Sequence, residues 1–313
     1  MGPQTASRLL LVAVTAFGCA APPQSIGDSL PDGAEAVSLL GAPLIPPAPS
    51  AERQAVLEQD LADARAAYAA DPSDADAIIW MGRRLAYLGE YRAAIGFFSE
   101  GAAKHSIDAR MLRHRGHRWI TLRQFDRAVS DLAHASKLVE GQPDRVEPDG
   151  APNPAGVPIG SLHSNIDYHL ALAHYLRGEY DEAGRVHERR MGAAENDDRI
   201  CSTAYWLVLI RHRLGDEAGV EEVLARIRPD MNLLENFDYH RLLLVYKGDL
   251  TEGEMAPESD SVASATVAYG LAQLKKFRGD DAGYLAALRD VVTQPQWAAF
   301  GFIAAEAELA ASR

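Results

Sequence analysis

Histidine is the residue type in this 313-residue sequence whose spacing comes nearest to suggesting chemistry, and there are ten of them. His114 and His117 stand three apart and so share a face if the segment is helical. His163, His169 and His174 follow in a later segment. Two imidazoles on one face begin a zinc site, but such a site needs at least a third protein ligand. No His-Glu-x-x-His motif occurs and no cysteine pair is present to help, so the third ligand would have to come from a separate helix. Nucleophilic chemistry has less support. Gly160-Ser161 lacks the flanking pattern of a nucleophile elbow, and no glycine loop of the phosphate-cradling kind appears. The many Asp and Glu fall at solvent-facing spacing and read as hydrated surface. No catalytic residue, metal ligand or cofactor is assigned. The expected activity is recognition, with metal binding or hydrolysis by the histidine-rich region as the alternative.

The bulk numbers agree with a folded binding protein. The sequence is 47% hydrophobic and 24% charged, which supplies a core and argues against general disorder. A net charge of -13 excludes a nucleic-acid backbone as a general partner. Cys201 precedes an apolar helical stretch and reads as a small buried side chain; with Cys19 the only other cysteine, no disulfide framework is implied.

The elements that must position these residues repeat. Leu88-Gly89-Glu90-Tyr91-Arg92-Ala93-Ala94-Ile95 is followed 34 residues later by Leu122-Arg123-Gln124-Phe125-Asp126-Arg127-Ala128-Val129. Gly82 and Gly116 keep the same spacing, as do Phe98 and Leu132. Leu176-Arg177-Gly178-Glu179-Tyr180-Asp181-Glu182-Ala183 repeats the pattern again. This resembles the tetratricopeptide repeat, a 34-residue helix-turn-helix unit. The small residues admit close helix contact, Gly89 permits the turn, and Tyr91 and Phe125 fill the space between helices. Weaker turns follow at Gly215, Gly248 and Gly279.

The resemblance implies an all-α fold, a right-handed superhelical solenoid over residues 51–313. Its expected units are a capping helix at 51–72, then 75–108, 109–140, 164–198, 201–232, 234–262 and 265–292. Residues 141–162 form a proline-rich insertion between two units, readable as an ordered lid or as a disordered excursion.

In that family the first helix of each unit lines a concave groove. The place two residues before the small position falls on Trp80, His114, His169, Trp206, Tyr239 and Gly270, though a register one residue off would make Trp80 or Trp206 core side chains instead. Neighbouring groove places add Arg83, Arg110, Arg113, His117, Asn165 and Tyr168. Aromatics supply contact area and Arg a fork for carboxylates, so the resemblance implies a groove for a peptide segment.

The N-terminus reads as an export signal. Arg8, the apolar run Leu9 to Phe17 and the small Gly18 make a signal peptide over residues 1–18, too short to span a bilayer as a helix. Ala16-Phe17-Gly18-Cys19 resembles a bacterial lipobox, with Ala16 where Leu is usual. That implies a lipidated Cys19, a membrane anchor and a periplasm-facing place in the envelope; plain secretion is the alternative. Residues 19–50 are rich in proline and glycine and read as a disordered linker. The expected partner is another envelope protein or a peptide segment of one, with a homo-oligomer also open.

Overall fold

The computed structural model describes residues 30–255 and 262–313; the signal peptide and Cys19 lie outside the described residues. Within them the regular secondary structure is almost all α-helix. The helices α1 (Ala51–Ala70), α2 (Ala75–Tyr87), α3 (Tyr91–Lys104), α4 (Ala109–Thr121) and α5 (Phe125–Leu138) precede the insertion. Then come α6 (Leu162–Leu176), α7 (Tyr180–Gly192), α8 (Asp197–Arg213), α9 (Glu217–Ala225), α10 (Phe237–Lys247), α11 (Val262–Phe277), α12 (Asp281–Val291) and α13 (Phe300–Ala311). The pairs α2/α3, α4/α5, α6/α7, α8/α9 and α11/α12 are antiparallel hairpins stacked in sequence order.

Local chemistry sets the ends of these helices. Asp74, Asp108, Ser161 and Asn196 cap α2, α4, α6 and α8, each side chain accepting a hydrogen bond from a first-turn N–H. A left-handed residue turns the chain within a hairpin, and Gly89 does this at φ +86°. The spacing of 34 has a direct packing cause. A Cβ on Gly82 would lie 2.4 Å from the Phe98 ring, and one on Gly116 would lie 2.5 Å from Leu132. Only hydrogen lets the two helices of each unit approach so closely.

Three features depart from the sequence reading. Residues 30–50 are a folded strap, not a free linker. The strap carries a small antiparallel pair, β1 (Ala36–Val37) and β2 (Pro43–Leu44), and buries Ala36 and Leu44 in the main core. The Ile45 carbonyl accepts the Trp297 indole N–H at 2.7 Å, and Leu39 N–H donates to Glu306. Composition spoke for an extended chain, but these contacts join residues more than two hundred positions apart, which composition cannot register. Among its described residues the unit expected at 234–262 shows one α-helix, α10, followed by a single turn at Glu252–Glu254. Finally, α13 was not anticipated. It folds back on α11, α12 and α6 and buries Phe302, Ile303, Ala304, Ala305 and Leu309.

Candidate functional site

The first helix of each unit, α2, α4, α6 and α8, presents the inner face, and the chain itself covers that face twice. The first cover is the insertion. Its stem is closed by Glu147 N–H to the Gly160 carbonyl at 3.1 Å and Leu162 N–H to the Arg145 carbonyl at 2.9 Å. Asp144 braces it, accepting from the Ser161 hydroxyl and from His163 N–H.

From the stem the segment runs across three first helices. On α4, Arg113 Nη2 lies 3.0 Å from Glu147 Oε2. His114 Nε2 lies 3.2 Å from the other carboxylate oxygen, off the line of a good hydrogen bond. On α6, the Asn165 amide donates to Glu147 Oε2. On α2, Arg83 donates to the Pro148 carbonyl at 2.8 Å and Arg84 to the Gly150 carbonyl at 3.2 Å. Gly150 passes so near the Tyr87 hydroxyl and Arg83 that any side chain there would collide with them. At the tip, the Asn153 amide ties its own turn to the Val157 carbonyl and reaches Glu235, just before α10. Asp198 holds that place by accepting three backbone N–H bonds from Leu234, Glu235 and Asn236.

Electrostatics follow from this burial. Desolvation alone would raise the Glu147 carboxyl, but Arg113, His114 and Asn165 hold it well below the usual carboxylate range. Burial and the Arg113 guanidinium push His114 down to about 3. Arg113 donates to His114 Nδ1 at 2.9 Å, which fixes the neutral tautomer with its proton on Nε2, toward Glu147.

The second cover is α13 with the turn before it. Phe300 lies against the rings of His117, Tyr168 and His169. His117 and His169 have centroids 4.3 Å apart, and burial pushes both well below the ordinary histidine value. His169 Nδ1 donates to the Asn165 carbonyl at 2.6 Å. Deeper, the Trp206 indole N–H donates to the Tyr168 hydroxyl at 3.1 Å, which in turn meets the Tyr239 hydroxyl at 3.0 Å. Tyr168, His169 and Trp206 are thus interior side chains and not open groove contacts, and Tyr239 is half-buried among them. Phe300 of α13 covers Tyr168 and His169, while Tyr175, Tyr205 and Tyr269 of α6, α8 and α11 enclose Trp206.

The remaining candidates separate. Trp80 is half-buried, with the Arg83 and Arg84 guanidinium groups 4.4 and 4.9 Å from its ring. Arg110 does not join the site; it turns to Asp108 and Asp76 at the start of α4 and α2. Cys201 is buried and its thiol is pushed up to about 12, mainly by desolvation, so it is inert.

Sequence reasoning missed Arg123, Glu306, Glu308 and Glu147. Arg123 takes the turn place that Gly89 has one unit earlier, at φ +62°, and its buried guanidinium reaches Glu306 at 2.7 Å and the Trp297 carbonyl at 2.9 Å. An arginine in a glycine slot was the available signal. Glu308 is contacted by Tyr175, Tyr269, Gln273, Tyr284 and Arg213. It borders a cavity of about 430 Å³ between α6, α8, α12 and α13. Among the described residues, no three His, Cys, Asp or Glu side chains gather as a metal site.

What decides the class of repeat is the hairpin itself: 34-residue spacing, glycine against Phe98 and Leu132, and a left-handed turn between the helices. In these respects the hairpins resemble the tetratricopeptide repeat. No family profile and no curated protein matches the sequence. Among solved structures, a Pseudomonas aeruginosa pilF structure is 15% identical with a TM-score of 0.46, covering 77% of this chain and 86% of its own. YrrB, described as a tetratricopeptide protein with an unusual peptide-binding site, is 15% identical with a TM-score of 0.40, covering 78% and 97%. The chain fills its own inner face, at the first units with an acidic extended segment and further along with α13.

Proposed function

We propose that the protein is a non-catalytic scaffold that holds an extended, acidic segment of another protein on the inner face of its first three units. The observation that supports this most directly is Glu147. An extended stretch of chain lies on Arg83, Arg113, His114 and Asn165, with its carboxylate received by side chains and its carbonyls by guanidinium groups. The face therefore has the chemistry to take such a segment: forked donors for the carboxylate and half-buried Trp80 for contact area. The buried Glu306 and half-buried Glu308 are engaged by structural donors, which favours binding over catalysis.

The same reading places the scaffold at the bacterial envelope. It would face the periplasm on a lipidated Cys19, with another envelope protein as partner. The lipobox-like Ala16-Phe17-Gly18-Cys19 supports this. Cross-linked capture from envelope extracts tests both parts. The full chain is expected to retain a partner that Arg83→Ala/Asn165→Ala loses while keeping its melting transition. Equal capture by both chains would place the partner elsewhere. Radiolabelled palmitate incorporated by the wild type and absent from Cys19→Ala would support the anchor; label in neither would remove it.

A further inference from the structure

The two covers of the inner face differ in what holds them. Strap and α13 are held by apolar burial: Ala36 and Leu44 on one side, Phe302, Ile303, Ala304, Ala305 and Leu309 on the other. The insertion is not. Between residues 141 and 160 the only buried side chains are Glu147 and Asn153, both polar, while Val146 and Val157 are at least half exposed. No hydrophobic term of the usual size ties it down. Its attachment consists of hydrogen bonds, each worth about 1 kcal/mol net, and one buried ion pair whose attraction is largely offset by desolvation. Its orphaned atoms point the same way: Arg113 Nε and Glu147 Oε1 are buried with no aligned partner. The contact is good enough to close and poor enough to open.

We propose that residues 144–158 are a displaceable lid that competes with the partner for the inner face, Glu147 standing where a carboxylate of the partner's extended segment docks. This rests on the binding reading above and adds its regulation. Free protein is self-occupied. A partner segment with the same chemistry, an acidic side chain followed by backbone carbonyls in extended conformation, replaces the lid without disturbing α13 or the helices. The lid stays joined to α5 and α6, so it re-closes when the partner leaves, and its high local concentration excludes weak acidic peptides.

The test needs no natural partner, because the lid supplies its own probe. A chain with residues 146–158 replaced by a Gly/Ser stretch of equal length is mixed with a fluorescent peptide copying residues 144–156, and anisotropy is read. Saturable binding is expected. It should weaken about tenfold with the wild-type chain, and about tenfold when the peptide carries Glu147→Gln, the loss of one charge-assisted contact. A folded, lid-replaced chain that binds the peptide no better than wild type overturns the proposal. So does equal binding of the Glu and Gln peptides.

If the replaced chain does not fold, Glu147→Gln/Asn153→Ala in the full chain serves instead. Trypsin cleavage at Arg145 should then rise about tenfold with the melting transition kept; an unchanged rate overturns the lid. Failure here leaves envelope capture untouched, and failure of capture leaves the peptide result untouched, so the two readings fall separately.

Discussion

Arg123 adopts a left-handed backbone at a position its repeat elsewhere gives to glycine, and it does so with its guanidinium locked to Glu306. Such a φ costs a non-glycine residue about 1 kcal/mol or more, so the local penalty must be outweighed by the buried contact. Arg123→Gly would remove the strain but strand a fully buried carboxylate. We expect a net loss of about 3 kcal/mol, read from the urea midpoint. Arg123→Gly/Glu306→Gln should recover much of it, because the uncompensated charge is gone. A single variant as stable as wild type would mean that the pair does not hold α13. The glycines obey a simpler rule. Gly82→Ala drives a methyl into the Phe98 ring, and overpacking of this kind costs about 1–3 kcal/mol on the same urea curve.

The hairpins were legible in the sequence because their cause is local. Gly82 and Gly116, the turn at Gly89 and the aromatics Tyr91 and Phe125 act within one unit or between adjacent ones, so the 34-residue spacing carries them. Neither cover of the inner face was legible in the same way. The lid's ordering depends on Glu147 meeting Arg113 and Asn165, and α13 depends on Arg123 and Arg213, contacts that no period encodes. The middle and far members of the inner-face stripe, Tyr168, His169 and Trp206, are interior side chains enclosed by other helices of the chain. Trp206 shows the reason. Helical phase places a side chain on the concave side without saying what else arrives there. At this scale α13 is the decisive element. A chain ending before Phe300 should expose Tyr168 and His169 and melt at lower temperature. An unchanged melting temperature would show that α13 is an appendage.

For the whole molecule, burial of neutral histidines sets the response to acid. His114, His117, His169 and His187 all have their protonation depressed below the ordinary value of 6.5, desolvation being the leading cause in each. Below that pH the unfolded chain takes up protons that the folded chain excludes. Stability is therefore full above about 6.5 and is lost as pH falls, by about 2 kcal/mol for each such histidine at pH 5. Glu147, held low by Arg113, adds its own loss only below its ordinary value of 4.5. Urea midpoints at pH 7.5 and pH 5 check this; a midpoint unchanged or raised at pH 5 would contradict the neutral cluster.

One inner face carries two occupants of different permanence, a polar lid that opens and an apolar helix that stays. Native-state hydrogen exchange on the full chain distinguishes them. The N–H groups of Glu147, Gly156 and Val157 in the lid are compared with that of Ile303, which donates to the Ala299 carbonyl at the start of α13. The lid amides are expected to exchange through a small local opening, at least about a hundredfold faster than Ile303, whose exchange tracks global unfolding. Equal protection of lid and helix would mean that the lid is part of the permanent core, and the face beneath it closed to any partner.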